Sequence, residues 1–522
     1  MLATVLSATI HGLDGRVIRV EVDVAPGLPG FSIVGLADTA LQEARERVRG
    51  AIRNSGFAYP PRRITVNLAP ADLPKRGASL DLGIAAAILL GSEQVRAAGR
   101  WALVGELSLG GEVRPVPGLL PMVAALARRG VRRVVVPADA LEEARLVDGI
   151  EAIGVAGLGE AMRVLRASSS RRRLPAKAAR VDAAPALPPG RGAPPPAAGP
   201  EPDVPDLADV RGQVEARRAL EIALAGGHGL LMIGPPGAGK TLLARTLPGL
   251  LPELPDAEAL AATIVGSVAA ERPVTGLARR PPFRAPHHTI SYAGMVGGGP
   301  RLTPGEVTMA DHGVLFLDEL PEFDRDVLEA LRQPLEDGRV AIVRAGRAEI
   351  FPARFQLVAA MNPCPCGMAG TDPPRCRCKT NVVDRYAARV SGPLRDRIDL
   401  WVAMPRVPPT LLGELERAES SADVAARIAA ARARQATRAG RLNARIGGRA
   451  LRAICGLDRA AQVRVVELAE AGELSARAAE RLLRVARTIA DLAGAERVAA
   501  SALEEAARYR DPSLTLGRQG AA

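Results

Sequence analysis

Aromatic residues are scarce in this chain: two Trp, four Tyr and seven Phe among 522 residues. With a hydrophobic fraction of 48%, its cores must be packed from aliphatic side chains, and stacking of bases on aromatic rings is a poor expectation for any binding surface. Cysteine is equally sparse, five in all, with four of them between Cys364 and Cys378. That is too few for a disulfide scaffold and clustered as metal ligands in a reducing compartment would be. Long apolar runs are missing too. The longest uncharged stretch worth testing, Ile222 to Gly239, is interrupted by His228, Pro235 and Pro236, so no membrane span is expected. The opening residues, MLATVLSATIHGLDGR, lack a basic segment followed by an apolar one, so no secretory signal is read and the expected location is cytoplasmic, without a membrane partner. Finally, no region concentrates the excess of charge. The formal +12 divides as +3 over residues 1–166, +3 over 167–204, +1 over 205–410 and +5 over 411–522. A dispersed excess is mostly a solvated surface, so a nucleic-acid partner has to be argued from particular residues.

What is present divides into segments. Residues 167–204 are rich in Pro and Ala without apolar periodicity, and such sequence buries too little surface to offset its ordering entropy. It is read as a disordered linker. Before it, alternation at Val17 to Val22 and Arg132 to Val136 predicts strands, and Thr39 to Ser55 and Leu119 to Arg129 predict helices. Residues 1–166 are therefore read as an α/β or α+β domain. After it, strand-like runs at Leu230 to Ile233, Val314 to Leu317 and Phe355 to Ala359 alternate with helical segments over 205–410, which predicts an α/β module with a parallel sheet. Residues 411–510 read as helical throughout, and 511–522 as a tail.

The sharpest signal is Gly234-Pro235-Pro236-Gly237-Ala238-Gly239-Lys240-Thr241, a phosphate-binding loop placed after an apolar strand and before a helix predicted over Thr241 to Leu251. Its glycines let backbone N–H groups close around phosphates, Lys240 supplies a positive charge to the β and γ oxygens of ATP, and the Thr241 hydroxyl is a ligand for Mg²⁺. A second element, Gly313 to Glu319, is an apolar strand ending in two carboxylates. Asp318 there suits Mg²⁺, and Glu319 suits the attacking water. A third strand ends at Asn362, an amide able to orient that water.

The order of phosphate loop, Asp-Glu strand and Asn strand resembles the AAA+ ATPase module. The resemblance makes Asn362 a first sensor, Arg397 in Ser391-Gly-Pro-Leu-Arg-Asp-Arg397 an arginine finger reaching a neighbouring subunit, and Arg477 a second sensor on a helical lid. Arg395 is a weaker finger candidate. Longer phrases, Gly30-Phe-Ser-Ile-Val-Gly-Leu-Ala, Ile64-Thr-Val-Asn-Leu-Ala-Pro-Ala-Asp-Leu-Pro-Lys75, Phe283-Arg-Ala-Pro-His-His-Thr289, Met361-Asn-Pro-Cys-Pro-Cys-Gly367 and Val485-Ala-Arg-Thr-Ile-Ala-Asp-Leu492, resemble the ComM/YifB family of magnesium-chelatase-like AAA+ proteins. That resemblance implies a homo-hexameric, ATP-driven helicase acting on single-stranded and branched DNA, promoting branch migration in recombination during natural transformation beside recombination proteins. The rival expectation is a chelatase-type ATPase that remodels a protein partner without DNA.

In the N-terminal segment, Val104 to Val116 resembles the Lon protease domain, a fold of the ribosomal S5 domain 2 type. Ser79 falls near that family's nucleophile, but the position of its lysine holds Leu120, and a serine without a base is a weak nucleophile. The domain is read as non-proteolytic. Two basic features complete the reading. Gly338 to Phe351 predicts a β-hairpin tipped by Arg344 and Arg347, suited to tracking DNA phosphates. An insert with Arg279, Arg280, Arg284, His287 and His288 is a second candidate DNA surface. Cys364, Cys366, Cys376 and Cys378 form two C-x-C pairs suited to a Zn²⁺ site, whereas Cys455 reads as packing.

Overall fold

The computed structural model describes residues 1–35, 41, 43–71, 73, 75, 77–166, 204–299, 302–344, 347–370, 375–407, 419–471 and 475–510, apart from the side chains of Arg344, Arg347, Ala469 and Ala471. The segment read as a linker, up to residue 203, and the tail lie outside them. The chain divides into two units, residues 1–200 with 263–277, and residues 201–262 with 278–522.

The first unit is built on β1 (Leu2–His11), β2 (Asp14–Ala25), β3 (Gly30–Val34), β4 (Arg63–Ala69), β5 (Ala102–Leu103), the short pair β6 (Glu106–Leu107) and β7 (Val113–Arg114), then β8 (Arg133–Pro137) and β9 (Glu151–Val155). Seven of these form one mixed sheet in the order β3-β4-β2-β1-β5-β8-β9. Alternation does the work. In β2 the side chains of Ile18, Val20, Val22 and Val24 are buried while their neighbours face outward, as the two-residue period of a strand requires. The helix Asp81–Gly91 covers one face and is apolar nearly all round, the pattern of a helix with no solvent side. The helix Leu119–Arg128 belongs to the cluster on the other face.

The second unit carries a five-stranded sheet of β10 (Leu230–Ile233), β11 (Phe283–Arg284), β14 (Val314–Leu317), β17 (Gln356–Met361) and β18 (Leu400–Ala403), with two hairpins, β12 (Gly297–Gly298) with β13 (Thr303–Pro304) and β15 (Arg339–Arg344) with β16 (Arg347–Pro352). The sheet order is β11-β14-β17-β10-β18 and every pairing in it is parallel. Both faces are covered, so β14 reads as an unbroken apolar run, as does β17 after Gln356, with every residue of both buried. The helices Ser421–Ala439 and Ala476–Leu492 contribute Val424, Ile428, Leu482, Val485 and Ile489 to the same core as Leu230, Val358 and Val402. The predicted helix over Thr241 to Leu251 is two, Lys240–Arg245 and Leu247–Leu250. Pro248 has no N–H to continue the ladder, and the Thr246 hydroxyl donates to the Leu243 carbonyl at the break.

Candidate nucleotide site

The parallel sheet brings the ends of β10, β14 and β17 together, where open α/β sheets hold ligands. The loop after β10 enters its helix through Gly239, whose φ of 89° suits a residue without Cβ. Gly234 is fixed for another reason, since a Cβ there would lie 2.2 Å from the Met404 carbonyl oxygen. Gly234 N–H also donates to the carbonyl of Met361, the last residue of β17. Gln213, outside the motif, braces the loop by donating to the carbonyls of Ala238 (3.1 Å) and Pro405 (2.6 Å).

Lys240 is buried, and its Nζ donates to the Gly234 carbonyl (2.6 Å), the Pro235 carbonyl (3.1 Å) and Asn362 Oδ1 (3.1 Å). Those acceptors are two carbonyls and an amide. Burial therefore pushes the ammonium below its ordinary pKa, against the pull of Asp318 and Glu319. A buried cation held by neutral oxygens is a site for an anion. Thr241 Oγ1 donates to Asp318 Oδ2 at 2.7 Å, close to the oxygen–oxygen edge of about 2.9 Å in an octahedron of ~2.05 Å Mg–O bonds. Glu319 follows in the left-handed region at φ 54°. This is a strained position for a side chain with a Cβ, held by its N–H donating to Asp318 Oδ1 at 2.9 Å. Its carboxylate projects past Asp318 and meets His288, Nδ1 to Oε2 3.3 Å. His288 is itself fixed against the Phe323 ring edge and the His287 ring.

Lys240, Thr241, Asp318, Glu319 and Asn362 thus converge. Arg397 does not join them: it donates to the Pro393 carbonyl (2.7 Å) and pairs with Glu336, whose carboxylate it holds below the ordinary range. Arg395 lies over the Trp401 ring, 5.3 Å from its centroid. Arg477 is exposed in the first turn of the helix Ala476–Leu492. Arg284 makes a bidentate pair with Glu306, both contacts 2.7 Å, and Arg279 pairs with Asp256. Arg344 and Arg347 face each other across the predicted hairpin, with residues 345 and 346 and both arginine side chains outside the described set. His288 beside Glu319, Gln213 and the buried His228 were absent from the sequence-derived ATP site. His228 Nδ1 lies 2.9 Å from Asp399 and Nε2 2.8 Å from Thr488, joining the strand after Arg397 to the helix that carries Arg477.

The four clustered cysteine sulfurs lie within 4.8 Å of one another, with separations of 3.4 Å (Cys364–Cys366), 3.7 Å (Cys364–Cys376) and 3.7 Å (Cys366–Cys376). The Cys366 thiol is lowered to about 6, first by the N–H of Met368 and then by its Cys364 and Cys378 neighbours. Cys455 is buried elsewhere, and burial raises it to about 11. In the first unit, Ser79 is buried with its hydroxyl donating to the Ala8 carbonyl at 3.0 Å. Buried Lys75 donates to the Pro70 carbonyl. Leu120 is buried with its N–H on Glu143 at 2.8 Å.

Among the described residues, no helix is long and apolar enough to cross a membrane. Family models described as magnesium chelatase subunit ChlI, subunit ChlI of Mg-chelatase and the ChlI C-terminal part match residues 206–412, 20–140 and 418–510. The chain is 42% identical over 512 residues to YifB of Escherichia coli K12, covering 98% of this chain and 97% of that protein. It is 42% identical over 514 residues to the competence protein ComM of Haemophilus influenzae, with the same coverage. A shorter likeness, 29% over 159 residues and 27% of this chain, is to Lon protease 2 of Bacillus subtilis. A family of this kind implies ATP with Mg²⁺, and the buried Lys240 and the Thr241–Asp318 pair fit both. With three family models along its length and relatives matched nearly end to end, the chain belongs to the ComM/YifB family of magnesium-chelatase-like proteins.

Proposed function

We propose that this protein is a ring-forming ATPase, hexameric in its active state, that couples hydrolysis of Mg·ATP to movement on single-stranded and branched DNA during recombination. The observation that carries the hydrolytic part is the convergence of Lys240, Thr241, Asp318, Glu319 and Asn362 beyond the carboxyl ends of β10, β14 and β17. Bound Mg·ATP supplies the phosphoanhydride and the metal charge. Lys240 exchanges its carbonyl partners for phosphate oxygens, Thr241 and Asp318 hold the metal, and Glu319 orients and deprotonates the attacking water with His288 fixing its carboxylate. Asn362, held against Lys240, reports the γ-phosphate to β17.

Arg397 supports assembly. Its guanidinium is held by the Pro393 carbonyl and the exposed Glu336, partners that a neighbour's phosphate would replace. DNA is assigned to the hairpin, where two arginines stand at the turn and Val343 and Ile350 are exposed on its strands. Arg284 belongs to the same proposed surface, where it engages DNA after exchanging Glu306. The name of the Haemophilus relative supports a role in competence. The chelatase-type reading rests on the descriptions of the family models. Steady-state ATPase assays with and without single-stranded DNA separate the two. DNA should raise turnover severalfold in a salt-sensitive manner, Lys240→Ala should abolish turnover, and hydrolysis indifferent to every DNA form would favour the chelatase reading.

A further inference from the structure

The four clustered cysteines stand next to the nucleotide site in sequence and in space. Cys364 follows Asn362 by two residues, and its carbonyl accepts the Gly367 N–H at 2.9 Å, closing a tight turn. Gly367 sits at φ 77°, packed so closely on the phosphate loop that a Cβ would lie 2.5 Å from Pro236 Cδ and 3.8 Å from Asn362 Cγ. On the far side, Cys378 leads through Lys379 into the helix Thr380–Ala387. On that helix the buried Tyr386 stands near the Asn362 backbone, and just beyond it Arg389 grips the Pro321 carbonyl (2.9 Å) and Glu322 (3.0 Å), downstream of Asp318 and Glu319.

The sulfur geometry points to a ligand. Four thiolates around Zn²⁺ at about 2.3 Å form a tetrahedron with edges of ~3.8 Å; the separations of 3.4 to 3.7 Å among Cys364, Cys366 and Cys376 match those edges, and the Cys378 sulfur lies within 4.8 Å of all three. They are far from the ~2.05 Å of a disulfide. The N–H of Ala369 donates to Cys364 Sγ at 3.3 Å and that of Cys378 to Cys376 Sγ at 3.4 Å, the kind of bonds that orient thiolate ligands and stabilise their charge.

We infer that Cys364, Cys366, Cys376 and Cys378 bind one Zn²⁺ as thiolates, releasing their protons to solvent, and that this knot positions Asn362 and the phosphate loop for hydrolysis. The sequence places the thiols; the packing of Gly367 on Pro236 makes the knot part of the nucleotide site. The positioning half rests on the proposed ATP hydrolysis, whereas zinc binding stands without it.

The test uses the full chain and three readouts: zinc content by mass spectrometry, affinity for a fluorescent ATP analogue, and kcat against KM. The wild type should carry about one zinc per chain. The double variant Cys376→Ser, Cys378→Ser should lose the metal and bind nucleotide within about threefold of wild type, while kcat falls ~10- to 100-fold. Gly367→Ala should keep its zinc and still lose kcat, which separates metal binding from its transmission. Stripping zinc from the wild type with a thiol-reactive mercurial and a chelator, then reloading after thiol release, should lower and restore kcat, a result that a merely unfolded variant could not mimic. A metal-free wild type would overturn the site, and a zinc-free chain with wild-type kcat would overturn the coupling. A chain that holds zinc and binds nucleotide but hydrolyses none would overturn the hydrolysis reading instead.

Discussion

In the proposed reaction Glu319 handles the attacking water, and its placement depends on a neighbour from another part of the chain. His288 reaches it at 3.3 Å from the segment after β11. Removing that contact with His288→Ala should leave the carboxylate mobile and lower kcat about tenfold, a fraction of the ~10² to 10⁴ available to a general base, with little change in KM for ATP. Equal kcat in a steady-state assay would remove His288 from the mechanism. In the first unit, Asp81 is fully buried and bonded to Arg47 at 2.7 Å, yet burial outweighs the arginine and raises its carboxyl to about 6. The folded state then holds the proton more tightly than the unfolded chain, whose carboxyl titrates near 4. The stabilisation is complete below pH ~4 and is lost as pH rises through about 6, a change of about 3 kcal/mol. Hydrogen-exchange protection of the helix Asp81–Gly91 should therefore fall between pH 4 and 7 in the wild type relative to Asp81→Asn, and parallel profiles would contradict the assignment. Lys240, Thr241, Asp318, Glu319 and Asn362 are legible in the sequence because phosphate and metal chemistry demands those types directly after apolar strands. His288 and Gln213 are not, since a contact made across the sheet leaves no local spacing to read.

Among the elements, the hairpin β15–β16 was legible by the alternation of its apolar residues, and its strands pair in full register from Arg339↔Pro352 to Arg344↔Arg347. If it tracks phosphates, Arg344→Ala with Arg347→Ala should abolish most DNA stimulation and shrink the salt slope of binding by about two, while basal hydrolysis persists. DNA-stimulated turnover that survives both changes would exclude it. The helix after the phosphate loop was only half legible: apolar periodicity runs through Pro248, but the missing N–H divides it. The C-terminal helices were legible as helices, but not their attachment. His228, Thr488, Asn443 and Asp491 form a buried polar network whose members come from three separate stretches of sequence. Buried and satisfied, such a network fixes one arrangement, and it links Asp399, two residues from Arg397, to the helix Ala476–Leu492.

For the whole molecule, composition alone limited the material of the cores, and both units are indeed packed from Ala, Leu, Val and Ile with few rings. Residues 263–277 group with the first unit although they lie within the second in sequence, something periodicity cannot reveal. The two-subunit character of the proposed active site has a direct consequence. A mixture of Arg397→Ala and Glu319→Gln chains, each inactive alone, should recover part of the wild-type turnover, because some interfaces combine an intact finger with an intact base. No recovery despite normal assembly would place Arg397 within its own subunit. The central claim, motion on DNA driven by ATP, is tested most directly by following strand exchange in a labelled four-way junction. With ATP the wild type should resolve the junction into duplex products, and Glu319→Gln, which retains nucleotide, should not. Junctions left intact by a chain that hydrolyses ATP at full rate would contradict the account.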